Sequence, residues 1–420
     1  VLVIGRGGRE HAIIWSLLRS PKVSKVYCAP GNGGIGQLAE CVAIDENDFP
    51  AIAQFAQDQR VDLVVVGPED PLFGGLVDYL EARNIPVFGP RQNAAEIEGS
   101  KVFAKQLFKK YNIPTAAYES FADYEPALDY LRKQSFPIVL KADGLAAGKG
   151  VIIAHSLQEA ETALREIMVD KVFGESGNQI VIEEFLQGQE MTILSFVDGE
   201  TVRPMVPSQD HKPVFDGDKG PNTGGMGTYS PVPHIPQAVV DEAIATIVIP
   251  TAQAMVREGR PFRGVLYAGL MLTPQGPKTI EFNARFGDPE TQVVLPRLKT
   301  DLIDIMLATV NGRLAEQQIE WSEQAAVCVV LASGGYPGKY AKGLPINGLD
   351  EAAGDDCLVF HAGTAAHDGG IVTNGGRVLG VTGLGRDIAA ARAAAYAGAE
   401  HIAFEGKHSR TDIALKALQG

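Results

Sequence analysis

An alternation in the first hundred residues, between short apolar runs and helical patterns, constrains this chain more than any other feature. VLVIG (residues 1–5) is followed by REHAIIWSLLRS, then VSKVYCAP, FPAIAQFAQDQR, DLVVVG, LFGGLVDYLEARN and IPVFG. Strand, helix, strand at this spacing predicts a parallel sheet covered by helices. Ligands of such sheets bind beyond the carboxyl ends of the strands. Three of those ends are glycine-rich or acidic: GRGGRE, APGNGGI and GPEDP.

Beyond residue 90 the pattern changes. AAEIEGSKVFAKQLFKKYN reads as one helical segment with Lys101 and Lys105 a turn apart. A smaller α/β segment follows, with strands at FPIVLKADG and QIVIEEFL and a helix at LQEAETALREIMVDKVF. From Met191 to about Asp301 the pattern is an antiparallel-rich sheet with helices, in which RGVLYAGLMLT and KTIEFNARF pair across a turn at PQGP. A last unit starts at AAVCVVLAS. At 420 residues the chain is too long for one compact core, so several domains are expected. A net charge of -14 argues against nucleic acid or an anionic membrane as a partner. No apolar run is expected to cross a membrane. The four cysteines lack metal-ligand spacing and fit a reduced, cytoplasmic setting.

Four stretches can carry chemistry. GRGGRE has the first two glycines of a dinucleotide fingerprint, but its sixth residue is Glu10 and no acid ends the second strand, which argues against NAD or FAD. Backbone N–H groups at Gly8 and Arg9, with the Arg9 side chain, still suit a small phosphate. KADGLAAGKGV lies between two strands, not at a strand-to-helix corner, and Lys149 is followed by Gly150 where a P-loop needs Ser or Thr. It fits a flap over a triphosphate, with Lys141 reaching the same phosphates. IVIEEFLQGQE offers a strand edge to an adenine and Glu190 to a ribose; an ordinary amphipathic strand with an acidic end fits it equally. In KTIEFNARFGDPE, Glu281 and Asn283 share a strand face, a hard-oxygen pair suited to magnesium, and Arg285 lies on the same face. The alternative there is a solvated charged strand.

In this order, KADGLAAGKG, EEFLxGxE, DGDKGPNTGGMG and EFNARFGDPE resemble the ATP-grasp ligases. With GRGGREHA at the start, the resemblance runs over the whole chain and is to the branch that joins glycine to 5-phosphoribosylamine in purine biosynthesis. It implies an α/β ATP-grasp fold with an amino-terminal parallel-sheet, biotin-carboxylase-like domain (1–102). A central domain (103–121 and 192–325), an ATP-lid domain (122–191) and a small carboxyl-terminal mixed α/β domain (326–420) complete it. Matched motif by motif, it implies ATP on Lys105, Lys141, the flap with Gly148, Lys149 and Gly150, and Glu183, Glu184, Phe185, Leu186 and Glu190. Magnesium, with manganese as an alternative, falls to Glu281 and Asn283. Gly8, Arg9, Asn32, Gly33, Gly67, Pro68 and Glu69 would receive phosphoribosylamine. Asp216, Lys219, Asn222 and Thr223 would line the meeting place of the substrates with Arg285, and Asp216 is the candidate base. A monomer is expected, with a weak homodimer as the alternative.

Two departures from the family pattern are visible: Pro213 after SQDHK, where a basic residue is common, and SRTDIA at 409–414, where a tyrosine–arginine pair before DIG is usual. Neither is expected to touch the reacting centre. The stretch FDGDKGPNTGGMG (215–227) holds five glycines, which raise the entropy cost of ordering it. It is expected to be a loop ordered by substrate.

Overall fold

The computed structural model describes residues 1–144 and 150–419. The alternation at the start folds as the pattern predicts. Leu2–Gly5 lies at the centre of a five-stranded parallel sheet, flanked by Tyr27–Pro30 and Glu40–Cys41 on one side and Val64–Val66 and Val87–Phe88 on the other. Leu2, Val3 and Ile4 are fully buried, as befits a central strand covered on both faces. The order changes direction at Leu2–Gly5, so Gly5, Gly31 and Gly67 gather at one end of the sheet.

The expected single helix around Lys101 is two helices, Gln92–Gly99 and Lys101–Tyr111. Ser100 takes an extended conformation between them, and its Oγ accepts a hydrogen bond from Phe103 N at 3.0 Å, capping the second helix. Asn112, in the left-handed region, ends it. The chain then enters a four-stranded antiparallel sheet ordered Tyr118–Phe121, Ile180–Glu184, Ile138–Ala142, Val151–Ala154. Helices Tyr124–Leu131 and Leu157–Met168 cover one face and close a hydrophobic cluster of the unit's own.

The central sheet is ordered Thr201–Pro204, Gln189–Asp198, Arg263–Thr273, Gly276–Asn283, all antiparallel. The last two strands are the pair expected across PQGP. Gln237–Arg257 forms a continuous helical segment of 21 residues, long and apolar enough to cross a membrane by length and composition. The expectation that no run reaches that length is therefore corrected. Its Val240, Ala243, Ile247, Val248, Ala252 and Met255 lie in the protein core, the ordinary place for such a helix.

A final antiparallel sheet is ordered Gln209–Asp210, Gly227–Ser230, Ala325–Ala332, Arg377–Gly385, Cys357–His361, with helix Ile388–His401 packed on it. Two of its strands precede residue 325, so this sheet stitches the carboxyl-terminal part to the central part. The hairpin Pro213–Phe215 with Lys219–Asn222 projects between those two strands.

Candidate active site

Between the four-stranded antiparallel sheet and the central sheet lies a buried charge cluster. Lys141, on Ile138–Ala142, and Lys105, on Lys101–Tyr111, both pair with Glu183; the Lys105 Nζ–Glu183 Oε2 distance is 2.5 Å. Lys105 also donates to Thr115 Oγ1 at 2.7 Å, and Lys141 to Ile280 O at 3.4 Å. All three charged groups are at most 5 % exposed. Burial alone would raise the Glu183 carboxyl, but the two ammonium groups outweigh it and hold the pKa below its usual range. The cluster carries one net positive charge. Glu183 is thus the counter-ion of the two lysines. Glu184 points the other way, accepting from Ala117 N (3.1 Å) and Lys278 (2.8 Å). Phe185 and Leu186 follow, half-buried, and the Leu186 N–H is unpaired among the described residues. Gly150 O accepts from Ala142 N at 2.9 Å, while Gly148 and Lys149 lie outside the described residues.

Glu281 and Asn283 stand two residues apart on Gly276–Asn283. Among the described residues neither side chain has a hydrogen bond or an ion pair, whereas most acids nearby do. A free carboxylate beside a free carboxamide oxygen, both partly exposed, suits a hard divalent cation that keeps positions open for phosphate. No cluster of three or more His, Cys, Asp or Glu able to hold a metal occurs among the described residues.

Arg285, two residues on, is the junction of the cleft with the amino-terminal sheet. Its Nε contacts Glu69 Oε2 at 3.0 Å and its Nη2 contacts Glu98 Oε1 at 3.1 Å. Burial works against the guanidinium charge, but Glu98 and Glu69 outweigh it and raise the pKa further. Glu69 would be raised by burial, yet Arg285 and Arg9 bring it to about 2. Glu98 is raised, because for this carboxyl burial wins over Arg285. Glu98 also accepts from Ala284 N at 2.7 Å, fixing the backbone next to Arg285.

The amino-terminal loops converge on the same junction, but several of their groups are already engaged. Arg9 is buried and binds Glu10 Oε1 (2.5 Å) and Phe286 O (3.3 Å), and its backbone N–H donates to Asp288 Oδ2 at 3.3 Å. Glu10 also accepts from Gly7 N at 2.7 Å. In this turn, expected to receive a phosphate, the Arg9 groups are engaged within the chain, and the acid that spoils the dinucleotide fingerprint fills the turn from inside. It also explains Gly67, where an added Cβ would lie 2.0 Å from Glu10 Oε1. Pro68 precedes the helix Glu69–Gly74 and directs Glu69 to Arg285. Asn32 is likewise engaged within the chain. Its amide spans Arg6 O and His361 O, its Oδ1 accepts from Gly34 and Ile35, and Gly33 N donates to Thr364 O. Asn32 and Gly33 thereby dock the carboxyl-terminal unit.

The FDGDKGPNTGGMG stretch differs most from expectation. Asp216 spends both oxygens on Thr411, accepting from its N (2.8 Å) and Oγ1 (2.5 Å). Gly217 N donates to Asp412 Oδ2, and Asp218 pairs with Arg410 and Lys416. The SRTDIA tail therefore clamps the hairpin, and Asp216 is an anchor, not a free base. Pro213 belongs to the same clamp, its carbonyl accepting from Arg410 Nη1 at 3.0 Å. Thr223 is turned inward, donating to Lys212 O at 2.7 Å. Lys219 and Asn222 are exposed, with no side-chain partner among the described residues, and remain available to a ligand.

Sequence reading missed Asp210, Lys212 and Glu290. Lys212 bridges Glu190 (2.9 Å) and Asp210 (3.0 Å). Glu290 accepts from Tyr267 OH at 2.8 Å, and burial, then Asp210, raise its pKa to about 7. The only signal for them was charge within SQDHK and GDPE, which does not say what the charges face.

A lid sheet and a central antiparallel sheet gripping a lysine-lined cleft, with a carboxylate–carboxamide pair on the edge strand of the central sheet, define the ATP-grasp class of proteins. Models of the three phosphoribosylglycinamide synthetase domains match residues 1–98 (N domain), 99–291 (ATP-grasp domain) and 326–416 (C domain). A phosphoribosylamine–glycine ligase of Halalkalibacterium halodurans is 52% identical over 418 residues, covering 100% of this chain and 97% of that one. The crystal structure of a phosphoribosylamine–glycine ligase from Thermotoga maritima superposes with a TM-score of 0.86 at 36% identity, over 98% of this chain and 99% of the other. The biotin carboxylase–β,γ-ATP complex from Campylobacter jejuni shares the fold (TM-score 0.75, 14% identity, 97% of this chain and 92% of that one). The chain belongs to the phosphoribosylglycinamide synthetase family.

Proposed function

We propose that the protein joins glycine to 5-phosphoribosylamine at the expense of ATP, giving glycinamide ribonucleotide, ADP and phosphate through a glycyl phosphate. The observation that carries this reading is Arg285. It links the amino-terminal loops through Glu69 to the strand bearing Glu281 and Asn283, so two substrate sites share one guanidinium. A carboxylate does not react with an amine at a useful rate in water, and phosphorylation supplies the leaving group. Lys105 and Lys141, held apart by Glu183, offset charge on the phosphates. Glu281 and Asn283 would hold magnesium or manganese, which would supply positive charge to offset that of the transferring phosphoryl group. Leu186 offers a main-chain N–H to the adenine edge, and Glu190, tied to Lys212, stands beside it for the ribose. Arg285 orients the glycine carboxylate. Lys219 and Asn222, exposed and without a partner among the described residues, would serve as orienting groups, and no single side chain is assigned as base.

ADP release should be measured with magnesium and ATP, adding glycine and freshly generated phosphoribosylamine singly and then together. The reading requires release that needs both, with glycinamide ribonucleotide in equal amount. Release with a different carboxylate or amine would move the protein to another ligase of the class.

A further inference from the structure

We propose that Arg377, supplied by the carboxyl-terminal unit, is a positioning residue that seals the acyl-phosphate step against water; this rests on the ligase reading above. Arg377 begins the strand Arg377–Gly385, outside every motif that carries the nucleotide or metal chemistry. Its Nη1 donates to Asp288 O at 2.8 Å, to Gly224 O at 2.9 Å and to Gly225 O at 3.4 Å, and its Nη2 lies 3.4 Å from Asp288 Oδ1. One guanidinium thus fastens the GG turn of the 215–227 stretch to the GDP turn that follows Arg285.

Asp288 extends the fastening. Its Oδ2 accepts from Arg9 N and its Oδ1 from Gln292 Nε2 at 2.9 Å, so the amino-terminal, central and carboxyl-terminal parts meet on one carboxylate. Burial would raise that carboxyl, but Arg377 and then Arg9 hold it below its usual range. The paired glycines follow from this packing. A Cβ on Gly224 would lie 2.9 Å from Arg377 Cζ, and one on Gly225, whose φ is +121°, would lie 2.6 Å from Pro289 Cδ. Tyr336 OH accepts from Gly224 N at 3.2 Å and closes the turn from the far side.

The join borders the place where an activated acyl group must wait for its amine. If it opens, water attacks the acyl carbon: a C–O bond to water forms, the bond to the phosphate oxygen breaks, and glycine, phosphate and a proton are released. ATP is then hydrolysed with no product. A role in folding alone would lower turnover while leaving one ADP per product.

The experiment compares ADP with glycinamide ribonucleotide in Arg377→Lys and Arg377→Gln against the unmodified protein, with ATP, magnesium and both substrates. Misplacing oriented groups by about 1 Å costs on the order of 10²-fold in the oriented step, so the ADP-to-product ratio should rise at least about twofold, more for Gln than for Lys. KM for ATP should stay within about twofold, since no nucleotide contact is touched. Tyr336→Phe loosens the same turn without disturbing a buried charge and decides the matter should the arginine variants fail to fold; its ratio should also rise. A ratio that stays at one in every folded variant, whatever the turnover, overturns the proposal. The unmodified protein reports separately on the ligase reading, because failure to make product there is a failure of that reading and not of the seal.

Discussion

Replacing Glu183 by glutamine removes the counter-ion of two buried lysines while keeping the shape of the side chain. Each lysine lies within about 2.5 Å of a Glu183 oxygen and is nearly inaccessible to solvent. Breaking a buried pair by neutralising one partner costs about 3–5 kcal/mol, mostly because the remaining charge is left without compensation. The cost should fall on Ile138–Ala142 and Ile180–Glu184, the neighbouring strands that carry Lys141 and Glu183. Hydrogen exchange read by mass spectrometry on peptides spanning those strands is the assay. In the absence of nucleotide, amides that exchange through opening of this sheet should lose about 10²–10⁴-fold of their protection. ATP with magnesium brings its own negative charge to the lysines and should recover part of the loss. At about 100 times its Kd it contributes about 2.7 kcal/mol to any state that binds it. Turnover should fall, because the lysines are no longer held in position. Wild-type protection in the nucleotide-free variant would refute the reasoning, since Glu183 would then be dispensable to the lysine pair.

Other outcomes follow from the same structure. Glu281→Ala should keep the fold, seen as an unchanged circular dichroism spectrum, and lose activity by more than the roughly 10–100-fold typical of a group that only orients a metal ligand; unchanged turnover would remove the metal assignment. Gly225→Ala should lower the denaturant midpoint, by about 1–3 kcal/mol in stability, because φ is +121° and Pro289 blocks the added methyl; an unchanged midpoint would mean that the turn is free. Three buried histidines should make stability depend on pH: burial, and for His211 also Arg410, lowers His211 and His361 to about 4 and His11 to about 3. Their folded pKa values lie below the unfolded value near 6.5, so stability is fully present above that pH and drains as pH falls toward 4, by about 2 kcal/mol per group at pH 5. Urea titrations at pH 7 and pH 5 measure this, and His211→Phe should flatten part of the slope.

The sheets were legible in sequence because each rests on local information: apolar runs, a helical period, a turn at PQGP. Lys105, Lys141, Glu281, Asn283 and Arg285 could be singled out as candidates because a charged or amide side chain at a fixed place in an apolar strand or helix is costly without a use. What failed depended on register and on distant partners. Of the adjacent acids Glu183 and Glu184, only one can share the face of Lys141. The pairing of Lys141 with Val181 decides it, since Glu183 lies two residues from Val181 and so on the same side. Register is a property of two strands, and neither strand's sequence contains it. The 215–227 stretch is the extreme case. Five glycines and three charges describe a mobile loop as well as a clamped one, because the groups that clamp it stand elsewhere. Thr411 is 195 residues from Asp216, and Arg377 is 153 from Gly224. A closed loop of that length costs only a few times RT more in entropy than a short one, so the chain can recruit such partners readily. Nothing near the loop has to announce them. The glycines that look like freedom are here the mark of confinement: Gly224 and Gly225 leave room for a guanidinium and a proline ring where any side chain would collide.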